Sequence, residues 1–141
     1  MISLGQAQTV ISAALAHARG ANARPLGIVV LDAGGHPVAF AREDGATFFR
    51  HDVARAKAYG ALGMGDDTRV LAERAKGNAA FFQSLTAVVG GQIAFSPGGV
   101  LVRDGSGAVI GAVGVSGDTG DMDEECALAG IAAAGLKGGP A

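Results

Sequence analysis

The sequence predicts an α+β fold, an antiparallel sheet of about five strands flanked by helices. Apolar residues recur at helical spacing at both ends of the chain and through its middle. Short runs rich in β-branched residues fall into groups separated by turn sequences. The resulting order, α-β-β-α-α-α-β-β-β-α, groups strands into hairpins and lacks the strand–helix alternation of a doubly wound nucleotide fold.

The first helix rests on Leu4, Ala7, Ile11, Ala14, Leu15 and Ala18, with Ser3 and Gln6 spaced as a capping box and Gly20 at the end. Leu26–Leu31 and Pro37–Ala41, joined by Asp32-Ala-Gly-Gly-His36, read as an antiparallel hairpin. From Thr47 to Met64 the pattern turns helical, and shorter helical pieces follow at Thr68–Lys76 and Asn78–Val88. Strands are expected at Gln92–Ser96, Gly99–Arg103 and Ala108–Ser116, the last two joined by the turn sequence Asp104-Gly-Ser-Gly107. A final helix carries Met122, Cys126, Ala129, Ala133 and Leu136 on one stripe.

The 141 residues contain no linker or run of like charge and read as a single domain over 1–141, long enough to bury a substantial core. A net charge of −2, with 11 basic residues spread along the chain, offers no electrostatic footprint for nucleic acid or an anionic membrane. The expected partner is a small molecule or another protein. One cysteine, Cys126, excludes an internal disulfide, and no Cys-x-x-Cys pair is present to hold zinc. The first twenty residues lack a basic n-region and are interrupted by Gln6, Gln8, Thr9 and His17, so a cytoplasmic location is expected. Phosphate-loop, dinucleotide, zinc-protease and nucleophile-elbow motifs are absent.

The stretch from Gly111 to Gly130 carries the first candidate chemistry. Strand alternation puts Ile110, Ala112, Gly114 and Ser116 on one face, nearly bare around Gly114. Such thinness suits either the close approach of a ligand or the packing of a helix against the sheet. The following helix opens with Asp121, Asp123, Glu124 and Glu125. Asp121 with Glu124 resembles a capping box, yet capping uses one or two acids, not four. Asp123 and Glu124 could bind a cation or exchange protons, and Asp123 could equally face solvent.

A second cluster follows the first hairpin. Arg42, Asp44 and Gly45 form a strand-to-helix turn near free helix N–H groups, where an anion could sit. On the helix, His51 and Arg55 share a face, while Lys57 lies among Val53 and Ala61, either snorkelling from the core or poised in a pocket. His51 is a candidate iron ligand or proton carrier, with a surface histidine as the plainer reading. His36 in the turn and His17 on the first helix are weaker candidates.

Arg42-x-Asp44-Gly45-Ala46, Ala54-x-Ala56-Lys57-Ala58, Gly111-Ala-Val-Gly-Val-Ser-Gly117 and Asp123-Glu-Glu-x-Ala-x-Ala-Gly130 together resemble the GlcG/HbpS-like, or haem-degrading-domain, family. The resemblance implies a profilin-like α+β fold and homo-oligomers from dimer to octamer. It also implies haem as a cofactor or ligand, with Arg42 or Lys57 pairing a propionate and His51 or an oxygen ligand meeting the iron. Thr68 offers a hydroxyl near that pocket, and Gly114 and Ser116 belong to its strand. An alternative is a cofactor-independent lyase, isomerase or hydrolase acting on an organic acid. There Lys57 and Asp123 would be acid and base, and Arg42 would hold the carboxylate.

Overall fold

Local signals along the chain place most elements where the sequence puts them. The computed structural model describes residues 1–140. Helix α1 (Leu4–Gly20) starts on the expected box: Ser3 Oγ accepts the Gln6 N–H at 3.1 Å, and Gln6 Oε1 accepts the Ser3 N–H at 2.9 Å. Strands β1 (Gly27–Asp32) and β2 (Pro37–Arg42) form the first hairpin. Helices α2 (Phe49–Met64), α3 (Thr68–Gly77) and α4 (Ala79–Val88) follow, then strands β3 (Gly99–Arg103) and β4 (Val109–Ser116), and finally helix α5 (Gly120–Ala133).

The sheet is antiparallel throughout in the order β2-β1-β4-β3, so the long, glycine-rich β4 lies inside it. It has four strands, not about five. The missing strand is the apolar run Gln92–Ser96, which joins no ladder. Ile93 and Phe95 dock this run by side chains instead: Ile93 seats against Gly60 on α2, and the Phe95 ring meets Phe82 edge-on at 5.3 Å. Short apolar runs are ambiguous in this way, because burial alone satisfies them without strand pairing.

Helices cover both faces of the sheet. On one side α1 and α5 enclose a core that includes Val10, Ala14, Ile28, Val30, Val113, Val115, Cys126 and Ile131. On the other, Ala54, Ala58 and Ala61 of α2 lie on Val29, Leu31, Leu101 and Ala112. The buried stripe of α5 runs through Asp123, Cys126, Ala127, Gly130 and Ile131. Of the stripe expected from the sequence, Cys126 is fully buried, whereas Ala133 faces outward and Leu136 lies beyond the helix end. Small residues explain the shift: Gly130 comes so close to Val10 of α1 that a Cβ there would strike the Val10 carbonyl oxygen.

The β3–β4 turn is built by one carboxylate. Asp104 Oδ1 accepts from Ser106 Oγ at 2.6 Å, from the Ser106 N–H at 2.9 Å and from the Ala108 N–H at 3.1 Å. The Ser106 hydroxyl and amide hold this carboxyl below its ordinary value of 3.8. A lowered folded-state pKa adds stability that is present above the unfolded value and is lost as pH falls through the folded one. The Tm difference between the wild type and Asp104→Asn is therefore expected at neutral pH, closing as melts are taken below about pH 4. An equal difference at every pH would show that the charge of Asp104 does not contribute.

Candidate functional site

The four acids that open α5 find three bases. The cap is Thr119, whose Oγ1 accepts the Met122 N–H at 3.2 Å, so Asp121 and Glu124 do not form the expected capping box. They hold Arg69 of α3 instead: its Nε donates to both Glu124 oxygens at 3.0 Å, and its Nη2 reaches Asp121. Glu125 meets His17 Nε2 of α1 at 2.7 Å. Asp123 turns inward to Lys57 of α2, 3.0 Å away. One acidic turn thereby ties three helices to α5.

Lys57 and Asp123 form the centre of this arrangement, their side chains only 3% and 2% exposed. The Lys57 ammonium donates to Asp123 Oδ2 at 3.0 Å, the Val115 carbonyl at 2.8 Å and the Pro97 carbonyl at 3.0 Å, which uses all of its N–H groups. Asp123 Oδ1 accepts the Asp118 N–H at 2.9 Å. Burial pushes Lys57 down and Asp123 up, and each is held back by the charge of the other. Lys57 does not snorkel to the surface, and Asp123 does not face solvent. In this arrangement the lysine has no free valence to offer a substrate.

Glycines make room for the pair. Gly98, with φ of +127°, passes so close that a Cβ there would stand 2.8 Å from Lys57 Nζ. At Gly99 and Gly114 a Cβ would strike the backbone oxygens of Lys57 and Ala54 respectively. The thin face of β4 is thus filled by α2, which resolves the two readings of Gly114 toward helix-on-sheet packing. Ser116 lies beneath the same helix, its Oγ accepting from Arg50 Nη1 at 3.1 Å.

Thr68 is fully buried and fastens a strand edge. Its Oγ1 accepts the Gly99 N–H at 2.8 Å, while the neighbouring Asp67 accepts the Leu101 N–H at 2.8 Å. Burial raises the Asp67 carboxyl above its ordinary range. Thr68→Val would leave the Gly99 N–H buried without a partner, and an unfolding free energy lower by about 1–3 kcal/mol, with a correspondingly lower midpoint, is expected in urea. An unchanged midpoint would remove the fastener role.

The remaining sequence candidates sit on the surface. Arg42 and Asp44 edge an open depression of about 430 Å³ shared with Arg19, Pro25 and Glu43. Gly45, with φ of +88°, turns the chain toward α2. The Arg42 guanidinium makes a 3.3 Å bond to the Ala46 carbonyl. His51 is half-exposed, and its ring meets that of Phe40 edge-on at 4.4 Å between centroids. Phe48, the N-cap residue just before α2, stacks obliquely on Phe49 at 4.8 Å, and both are largely exposed. This aromatic shelf escaped the sequence, because the Phe40–His51 contact depends on how β2 lies against α2.

The candidate residues therefore divide into the buried fastener of Lys57, Asp123, Thr68, Gly114 and Ser116 and the more exposed Arg42, Asp44, Gly45 and His51, of which Arg42 and Asp44 share one depression and His51 sits beside Phe40. The apolar cleft between α2 and α4, lined by Tyr59, Gly60, Leu85 and Ile93, measures about 90 Å³. That is well below the roughly 300–1,000 Å³ of ordinary ligand sites. Among the described residues no cluster of three or more His, Cys, Asp or Glu side chains could hold a metal ion, and no helix is long and apolar enough to cross a membrane.

Helices on both faces of an antiparallel sheet, pinned through a buried lysine–aspartate pair, place the chain among small α+β proteins. It belongs to the family described as "Haem degrading protein HbpS-like", which matches residues 2–132. A crystal structure of a PduOC:haem complex is similar at 25% identity and a TM-score of 0.87, covering 96% of each chain. The Klebsiella pneumoniae protein ORFY is similar at 26% identity and a TM-score of 0.85, covering 95% of this chain and 90% of that one. A double mutant of Streptomyces reticuli HbpS is similar at 31% identity and a TM-score of 0.78, covering 93% and 85%. No curated protein matches the chain.

Proposed function

We propose that this protein binds haem on the open aromatic shelf around His51, as a subunit of a homo-oligomer with a profilin-like domain. The observation that carries the reading is the half-exposed His51 ring, set edge-on against Phe40, with exposed Phe48 at the N-cap of the same helix. An imidazole nitrogen beside flat apolar surface is the chemistry a porphyrin iron takes. His51 Nδ1 lies 3.9 Å from Asp52 Oδ1, too far for a hydrogen bond, so the imidazole is not committed to a neighbour. Arg42, exposed and held by a 3.3 Å bond to the Ala46 carbonyl, is the cation for a propionate. Asp44 and Gly45 shape the loop that carries Arg42. Haem would supply a redox-active iron; His51 would offer it a nitrogen, Phe40 and Phe48 an apolar wall, and Arg42 a partner for the anionic groups. Family membership and the similar PduOC:haem complex support the same ligand.

His51→Ala is expected to weaken haemin binding by at least about tenfold, a loss of about 1.4 kcal/mol, and to alter the visible bands. Arg42→Ala should weaken binding while leaving those bands in place. Identical spectra and affinity in His51→Ala would remove the ligand assignment.

The reading of Lys57 and Asp123 as acid and base on an organic acid would require the pair to part and the loop at Pro97 to open. Its support is the pairing itself, with the lysine pushed down and the aspartate up by burial. Haem binding has the exposed geometry that this reading lacks.

A further inference from the structure

Strand β3 ends in an arginine that completes no ion pair. Alternation puts Arg103 on the same sheet face as Leu101, and the β3–β4 register slips between Val102 and Arg103, an irregularity that re-aims the side chain at the strand end. Its backbone is fixed by paired bonds with Lys137 at 2.8 and 3.0 Å. Nη1 of the guanidinium donates to the Gly107 carbonyl at 3.2 Å, whereas Nε is buried and meets no acceptor among the described residues. The edge that Nε shares with Nη2 is the fork that takes a carboxylate through two parallel bonds. An N–H buried without an acceptor costs free energy, which a ligand oxygen placed there would recover. Arg103 borders a cleft of about 130 Å³ that Asp66, Asp67, Val70, Leu101 and Pro140 also line. Asp67 stands at the N-cap of α3 yet makes no capping bond, because its Oδ1 reaches across to the Leu101 N–H at 2.8 Å. Asp66 holds Arg74 of α3 at 3.4 Å. No ion pair joins Asp67 to Arg103, although burial raises the Asp67 carboxyl and the charge of Arg103 draws it back.

We infer that this cleft binds a small zwitterionic amino acid, of the size of glycine or alanine, with its carboxylate on the Nε–Nη2 edge of Arg103 and its ammonium on Asp67. Opposite charges that line one cleft and stay apart match a molecule carrying both signs. A simple anion would also meet two aspartates, and a simple cation would meet Arg103, so neither is complemented alone. Volume sets the size: at roughly 30 Å³ per liquid water the cleft equals about four waters, room for a handful of heavy atoms. Val70, Leu101 and Pro140 give a methyl group an apolar wall. The site lies at the β3 edge of the sheet, opposite the β2 edge that carries Phe40 and its contact with His51, so it is separate from the shelf proposed for haem.

Chemical-shift titration of the nitrogen-15-labelled, haem-free protein tests the site independently of any haem result. Alanine is expected to shift the amides of Asp67, Val70 and Leu101 saturably, half-complete at roughly 0.1–10 mM because so few atoms limit the affinity. Acetate and methylammonium, which each carry one half of the ligand, should bind at least about tenfold more weakly. Arg103→Met should weaken alanine binding by at least about tenfold, and so should Asp67→Asn, which keeps an oxygen for the Leu101 N–H and removes only the charge. Cooperative melts of both variants show that the fold survives. No saturable shift with alanine, acetate or methylammonium binding as tightly as alanine, or unchanged affinity in either variant would overturn the inference.

Discussion

Gly114→Ala is expected to lower stability by about 3 kcal/mol or more, at the upper end of the cost of overpacking a core. The added Cβ would strike the Ala54 carbonyl oxygen and press on the backbone of α2 at Ala58. Neither is the tip of a side chain that could rotate away. Relief requires the whole helix to lift from β4, which would also loosen Ala54, Ala58 and Ala61 from the sheet. For a chain of this length the loss corresponds to a fall of roughly 10 °C in Tm. Thermal melts of Gly114→Ala beside Gly63→Ala, where a Cβ meets nothing, separate the steric effect from the general effect of removing a glycine. Gly63→Ala should be neutral or slightly stabilising, and an equal fall in both would contradict the close approach of α2.

Lys57→Met is expected to cost about 3–5 kcal/mol, the usual result of leaving one partner of a buried ion pair behind. Asp123 would keep only the Asp118 N–H, and the carbonyls of Val115 and Pro97 would lose their donor. Asp123→Leu alone should be similarly harmful, because it leaves a buried ammonium without a counter-charge. The double variant should cost clearly less than the sum of the two, since no uncompensated charge remains. Urea unfolding of all four proteins measures that coupling. Additive losses would mean that the two groups do not stabilise each other.

The elements that the sequence revealed are those specified by near neighbours. Ser3 and Gln6 cap α1 across three residues, and Asp104 builds its turn within four. Gly114 was legible as a place of close approach, though not as to what approaches, because α2 is supplied from elsewhere in the chain. The acids of α5 were conspicuous for the same reason that their roles were hidden. Arg69, Lys57 and His17 lie 55, 66 and 108 residues away from the groups they bind. A carboxylate surplus at a helix start cannot by itself distinguish a cation site from ties to three other helices. Gln92–Ser96 had the composition of a strand, and only the Phe95–Phe82 and Ile93–Gly60 contacts show how it is buried. The assignment to a haem-related family rested on short motifs, most of which prove to be packing and fastening residues of the fold.

The direct test of haem binding is a titration of the purified wild-type protein with haemin, followed by visible absorption against albumin as a control for non-specific uptake. A saturable Soret shift at a fixed haem-to-chain ratio is the expected result. A featureless, non-saturating titration would contradict the proposal and leave the aromatic shelf as a surface for some other partner.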